Sequence, residues 1–346
     1  MLTRRHFLCS TLSALTLPAF RAEPPQIMTV TGPIRADQMG QTLIHEHVLV
    51  DFIGADKTGS GHDRPPRWNR AAVVAKMLPK LQEVRALGIH TLVECTPSYL
   101  GKDPLVLREL SEKSGLRILT NTGYYGAVDN KYLPPHAFTE TADQLAARWV
   151  AEYERGIDGT GDSPGGIRPG FMKISVNPGP LSDLHRKLIT AAARCHRRTG
   201  LTIYSHTGPY TPAFEQLDVL RQEGVRPDAF VWVHAQNTVN TMVHFARAAR
   251  LGAWVSLDGL DAASVDQYAT QLSLLKENGL LNRVLLSHDA GWYDPDQPDA
   301  PLARDYTVLF TKLMPLLNQR GFTEKDWQQL MVTNPAEALT IRKRLR

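Results

Sequence analysis

Cysteine is nearly absent. The 346 residues hold three, Cys9, Cys95 and Cys195, too few for a disulfide framework in a chain of this size. Cys95 falls on an expected strand and Cys195 on an expected helix, where buried thiols are the ordinary reading. Long apolar runs are missing too: nothing after residue 22 approaches the roughly 18 consecutive apolar residues of a membrane span. Charge of one sign is also lacking. The net charge is +4, of which Arg4, Arg5 and Arg21 supply three with no acid among the first 22 residues, leaving +1 for the body. A nearly neutral body excludes nucleic acid as the main partner, because phosphate binding needs a basic face. No low-complexity linker interrupts residues 27–341, which read as one domain. Apolar residues make up 42% of the chain and charged ones 21%, enough for a sizeable core.

What is present begins with an address. Arg4-Arg5 precedes the short apolar run Phe7–Leu17 and then Pro18-Ala19. A basic start, an apolar stretch too short to span a bilayer and small residues near a cut have the shape of an export signal over residues 1–22. The paired arginines resemble the twin-arginine signals that carry folded proteins outward. The expected destination is the periplasm or the exterior, with no stable membrane association after the signal is removed.

Beyond the signal, short β-rich runs alternate with helical patterns. The expected strands are Thr42–Val50, His90–Cys95, Arg117–Thr122, Phe171–Ser175, Thr202–His206, Phe230–His234, Ala253–Leu257 and Arg283–Ser287. Helices are expected at Ala71–Leu87, Thr141–Arg155, Leu184–Thr199, Thr238–Leu251 and Ala263–Asn278. A last one should start at Asn334-Pro335, with Asn334 as its cap. Eight strands with helical crossovers predict an α/β fold, a (β/α)8 TIM barrel. A doubly wound open sheet would want a glycine-rich phosphate loop after an early strand, and none occurs.

Twelve histidines carry the chemistry. The expected strand ends bear His45 and His47, Lys173, His206, His234 and Asp289. In a barrel these ends converge on the C-terminal face. Alternation points His45 and His47 the same way and Glu46 the other. Four imidazoles and a carboxylate suit zinc-like divalent ions. Lys173 fits poorly as an ammonium beside dications, so it must be neutral, remote or chemically changed. A neutral amine can add CO2 to give a carbamate, whose two oxygens can bridge two metals.

Taken with their sequence context, Gly40-Gln-Thr-Leu-Ile-His-Glu-His47, Gly170-Phe-Met-Lys-Ile174, Ser205-His-Thr-Gly208, Val233-His-Ala235 and Ser287-His-Asp289 resemble the phosphotriesterase family of the amidohydrolase superfamily. The resemblance implies the same barrel and a binuclear centre. His45, His47 and Asp289 would hold the more buried ion, His206 and His234 the outer one. Carboxylated Lys173 and a hydroxide would bridge them. Zinc, cobalt, manganese or iron would serve. The implied reaction is attack by metal-bound hydroxide on a carbonyl or phosphoryl centre, with Lys173 bridging and Asp289 accepting the proton. His288, beside Asp289, should point out of the barrel in a packing or supporting role.

Substrate selection should lie in the loops after strands two, three and eight, which carry Tyr99, Tyr124, Tyr125, Trp292 and Tyr293. Tyr125 falls near the tyrosine that the lactonase branch of this family carries beside its metals, and Tyr99 and Trp292 are the next candidates. Residues 51–70, rich in glycine, proline and charge, read as a lid. Many such lactonases place Arg after the Asp ending strand seven. Here Gly259 follows Asp258, which argues against acyl-homoserine lactones. The leading expectation is a hydrolase of lactones or other carboxylic esters, with phosphotriesters as further substrates. The alternatives are an amidase of the same superfamily and a non-catalytic exported barrel that binds a ligand. The resemblance also implies a homodimer.

Overall fold

The computed structural model describes residues 26–58, 66–161 and 165–346. The expected export signal lies outside them, as do residues 59–65 of the expected lid. Twelve strands occur among the described residues: β1 (Gln26–Thr29), β2 (Gly32–Arg35), β3 (Thr42–Leu49), β4 (Thr91–Glu94), β5 (Arg117–Leu119), β6 (Asn121–Thr122), β7 (Phe171–Ser175), β8 (Ile203–His206), β9 (Phe230–Val233), β10 (Trp254–Leu257), β11 (Val284–Leu286) and β12 (Gly291–Tyr293). All pair in parallel except the β1–β2 hairpin.

Two arcs, β12-β3-β4-β5 and β6-β7-β8-β9-β10-β11, make the barrel. β5 and β6 are one strand interrupted at Thr120, whose carbonyl accepts from Gly170 N–H at 2.8 Å. β11 and β12 form the eighth strand, broken over Ser287–Ala290. There Asp289 N–H donates to the His45 carbonyl at 3.0 Å and His47 N–H to the Ala290 carbonyl at 2.9 Å, closing the ring against β3. The strands have buried residues on both faces, as parallel strands covered by helices require. One apolar cluster, including Ile44, Phe171, Tyr204 and Trp254, is separate from a larger one that gathers helix residues such as Val73 and Leu188 with strand residues such as Leu43. Ile27 of the β1–β2 hairpin joins the smaller cluster, a plug that the sequence patterning did not announce.

The expected helices form, with small shifts at their ends: Arg70–Ala86, Ala142–Arg155, Asp183–Thr199, Thr241–Leu251 and Val265–Glu277. The fourth starts three residues late because Ala235–Asn237 make a tight turn and Asn240 is left-handed, with φ 48°. Helices Pro104–Ser114 and Tyr210–Gln222 complete the crossovers after β4 and β8.

Asn334 is not a helix cap. It sits in helical geometry, φ −63° and ψ −48°, inside a continuous helical run that starts after Thr323. Its amide instead donates to the carbonyls of Leu281 and Val284, each at 2.7 Å, anchoring the start of β11. Pro335 follows a widened π turn, Gln329–Thr333, and Pro315 follows another, Leu309–Leu313. Proline lacks the N–H of the regular ladder, and a wider turn accommodates that loss without ending the helix. Tyr293, expected in a loop, belongs to β12 and is buried.

Candidate metal centre

Strand alternation and parallel pairing bring the expected ligands together. His45 and His47 project from β3, with ring centroids 5.3 Å apart. His45 lies 5.0 Å from the His234 ring, and His206 lies 4.4 Å from it. Lys173 Nζ is 3.1 Å from His45 Nε2. Asp289 Oδ1 is 2.9 Å from His47 Nε2 and 3.7 Å from His45 Nε2. Burial pushes the His45 imidazole down to about 3, with the Lys173 charge adding to the effect against Asp258 and Asp289. His206 is likewise held well below its ordinary range, by burial and by the neighbouring His234 and Lys173.

The ring nitrogens facing inward can be assigned from those facing outward. Asp258 accepts from His45 Nδ1 at 3.1 Å and from His234 Nδ1 at 2.7 Å. It also accepts from Ser256 Oγ at 2.6 Å and from the backbone N–H of His234. Burial opposes its ionisation, yet His234 and His45 keep this carboxyl well below the usual range, so it remains an acceptor. Thr96 donates its hydroxyl proton to Glu94 and therefore accepts from His47 Nδ1 at 2.7 Å. Protons held at these Nδ1 atoms leave Nε2 lone pairs directed at the centre. His47 Nε2 and Asp289 Oδ1 are then two acceptors only 2.9 Å apart. Such a pair requires a proton or a cation between them. The donor set therefore fits a divalent ion, with His45, His47 and Asp289 forming one convergent group.

Backbone strain accompanies this arrangement. His234, Asp289 and Trp292 are left-handed, with φ of 60°, 56° and 68°, each costing of order 1–3 kcal/mol. Glu46 points away from the centre and holds the strained turn from behind. Its carboxylate accepts from Ser287 Oγ, from the N–H and Nδ1 of His288, and from Ala290 N–H, at 2.7–3.1 Å. His288 is fully buried and its Nε2 accepts from Leu309 N–H at 3.0 Å. Its role is to tie strand to helix, as alternation predicted.

Above the centre lies a cavity of about 100 Å3, lined mainly by apolar side chains including Val50, Phe52, Pro97, Leu100, Tyr125 and Trp292. The Tyr125 hydroxyl is 3.1 Å from His206 Nδ1. Burial and the nearby Asp289 carboxylate raise its pKa, so it is a neutral hydroxyl. Trp292 sets its edge against His47, with centroids 6.0 Å apart. Tyr99 is not part of this cavity. Its ring packs on Tyr124 and His136 and lines a separate polar cleft with Lys102 and Arg148, and its backbone is left-handed, with φ 66°.

A family model described as the phosphotriesterase family matches residues 25–339. The chain belongs to the phosphotriesterase family. A phosphotriesterase homology protein of Escherichia coli is 29% identical over 304 residues, covering 87% of this chain and 98% of its own. An aryldialkylphosphatase of Saccharolobus solfataricus is 27% identical over 315 residues, covering 87% and 95%. The solved organophosphorus hydrolase of Deinococcus radiodurans superposes with a TM-score of 0.79 at 28% identity, covering 94% of this chain and 100% of that one. This phosphotriesterase-family chain thus has the TIM barrel of the family and candidate His/Asp groups for its metal dependence.

Three residues at the centre were not assigned to it by the sequence reading, although Asp258 was noted there for the glycine that follows it. Asp258 ends a strand like the assigned ligands, and the same reading of strand ends would have found it. Thr96 follows β4 by two residues and could have been found in that way too. Arg304 could not: it comes from the loop after β12, and nothing in its local sequence marks it. Its Nη1 donates to Asp289 Oδ2 at 3.2 Å.

Proposed function

We propose that this family member hydrolyses carboxylic esters, lactones included, at a binuclear centre held by His45, His47, His206, His234 and Asp289. The observation that carries this reading is the convergence of His45 Nε2, His47 Nε2 and Asp289 Oδ1 beneath a small apolar cavity. Divalent ions bound there supply an acidified water and polarise the substrate oxygen. The chain's own residues do the rest. The apolar walls bury a small acyl group and exclude bulk water. Tyr125, a neutral donor near His206, is placed to orient the carbonyl or ring oxygen of an ester. Asp289 is the carboxylate nearest the attacking position and takes up its proton. The acyl carbon–oxygen bond breaks, water supplies the new acid oxygen, and the proton returns to the leaving alkoxide.

Lys173 completes the proposal as a carbamate. It is 1% exposed, its nearest recorded partner is the His45 imidazole, and no carboxylate bonds its Nζ among the described residues. A bridging anion at that position would offset the charge of two divalent ions. Short carboxylic acids should partly rescue Lys173→Ala. An unmodified ammonium in the metal-loaded enzyme at high resolution would refute the carbamate.

Elemental analysis of purified protein should find close to two divalent ions per chain. A panel of lactones, aryl esters, N-acyl amides and phosphotriesters should show esters turned over fastest, and Tyr125→Phe should weaken lactone hydrolysis more than phosphotriester hydrolysis. Full activity without metal, or amides exceeding every ester, overturns the assignment. We further propose that residues 1–22 direct export of the folded protein. Replacing Arg4 and Arg5 by lysine should leave precursor in the cytoplasm, and normal delivery of that variant would show the pair to be incidental.

A further inference from the structure

We propose that the polar cleft beside Tyr99 and Tyr124 is a second ligand site, for an uncharged, polyhydroxylated molecule of the sugar class. The cleft is separate from the cavity over the candidate centre, and its ligand does not depend on the hydrolase reading above.

The cleft is built from the same two chain segments as the cavity. Those that follow β4 and β6 each face two ways. Pro97 and Leu100 line the cavity over the centre, whereas Ser98, Tyr99 and Lys102 line the cleft. Tyr125 lines the cavity, and its neighbour Tyr124 lines the cleft. Ser98 and Tyr124 pair as an isolated parallel bridge, so the two segments form one wall between the two spaces. The helix Ala142–Arg155 supplies the far side with Arg148, Glu152 and Arg155. The cleft measures about 440 Å3, within the roughly 300–1,000 Å3 of small-molecule sites.

Its lining suits hydroxyl groups. The Lys102 side chain is 5% exposed, and its Nζ donates to the Asn121 carbonyl at 3.0 Å and lies 3.7 Å from Glu152 Oε2. That gap is too long for a direct hydrogen bond, and Oε2 is buried with no hydrogen-bond partner among the described residues. An unmatched buried acceptor is costly unless a ligand or water meets it. An ammonium with protons to spare beside a carboxylate with an unused oxygen calls for a group that accepts from one and donates to the other. A hydroxyl does both. The Tyr124 hydroxyl, 2.9 Å from His136 Nε2, is kept neutral by burial, with Tyr99 and Glu152 adding to the effect. The balance of charge discriminates against ions. Lys102, Arg148 and Arg155 are set against Glu152 and Asp158, and Arg148 is already held by Glu140 at 2.5–3.1 Å, so three cations meet three carboxylates. The rings of Tyr99, Tyr124 and His136 lie 5.4–6.4 Å apart in edge-on pairs. They offer an aromatic wall on which the C–H face of a sugar ring packs while its hydroxyls turn to the charged side.

The test is saturation-transfer NMR on the metal-loaded protein with glucose, galactose and mannose as probes. At least one of them should receive saturation. Glu152→Gln should raise the Kd of that sugar by about tenfold, the scale of one charge-assisted hydrogen bond. Tyr99→Leu, on the opposite wall, should raise it too, and serves where Glu152→Gln perturbs the helix. Tyr125→Phe, in the other cavity, should leave it unchanged, and inorganic phosphate should not displace the sugar. Transfer to none of the three sugars would mean that the cleft holds water only. Binding that neither cleft variant weakens, or that Tyr125→Phe abolishes, would place the sugar elsewhere, and displacement by phosphate would make the cleft an anion site. Each of these outcomes overturns the sugar site.

Discussion

At the scale of single residues, two carboxylates divide the work at the centre. Asp289 presents Oδ1 to His47 and Oδ2 to Arg304. Asp289→Asn keeps the size and one oxygen, but its amide must then face either Arg304 or His47. If Asp289 takes up the proton of the attacking water, kcat should fall by about 10²–10⁴-fold, the usual worth of a positioned base. The loss should be larger for esters with poor leaving groups, which need that proton back. An equal loss on every ester, in step with lost metal, would reduce Asp289 to a ligand. Asp258 does not face the cavity. One carboxylate satisfies Nδ1–H of both His45 and His234, and an amide has only one oxygen for the two. Asp258→Asn should weaken metal affinity by about 10–100-fold, as loss of a supporting carboxylate does elsewhere. Metal titration checks this, and unchanged affinity would show that the histidines hold their orientation unaided.

At the scale of elements, the interrupted eighth strand is the part on which the centre depends. Gly291 is where β12 begins, at φ 101°, and a Cβ there would run into the His47 carbonyl and the Tyr306 hydroxyl. His47 is a rigid barrel residue and Tyr306 is buried, so neither can move away cheaply. Gly291→Ala should cost at least about 2 kcal/mol in a urea melt, given that left-handed strain alone costs about 1–3. It should also lower metal affinity, because Asp289 is two residues away. A variant with wild-type stability would mean that the turn adapts. This break shows where the sequence stopped being readable. Apolar runs and helical periodicity placed all eight barrel strands, and alternation sorted His45 and His47 from Glu46, because those patterns are local. The turn at Ser287–Ala290 depends on Glu46, some 240 residues earlier, and no local pattern encodes a bond of that span. Asn334 misled for the same reason: a proline after asparagine looks like a helix start, while the asparagine serves two distant carbonyls. Tyr99 was assigned by loop membership, and loop membership alone does not say which cleft a side chain enters: it lines the one with Lys102 and Arg148.

At the scale of the whole molecule, buried neutral imidazoles set how the metal-free barrel responds to acid. His196 is fully buried at the end of the helix before β8. Its Nδ1 donates to the Leu201 carbonyl at 2.8 Å, and its Nε2 accepts from Arg344 N–H at 2.9 Å. Burial holds this imidazole below its ordinary range, with the nearby Arg344 charge adding to the effect. Protonating Nε2 would break the bond to Arg344. That residue is itself buried and donates to Thr202 and to the carbonyls of Glu337, Ala338 and Thr340, fastening the C-terminal segment. His45, held at about 3, and His206 behave in the same direction. An unfolded histidine titrates near 6.5, so below that pH the unfolded chain takes up protons that the folded chain refuses. Stability from these groups is therefore complete above about pH 6.5 and is lost as pH falls towards the folded values. The slope is up to about 1.4 kcal/mol per pH unit for each imidazole. Unfolding of the metal-free protein at pH 5, followed by calorimetry in buffers of different ionisation enthalpy, should show net proton uptake. His196→Gln should reduce that uptake. Proton release at pH 5, or an uptake unchanged by His196→Gln, would mean that these imidazoles charge freely inside the fold.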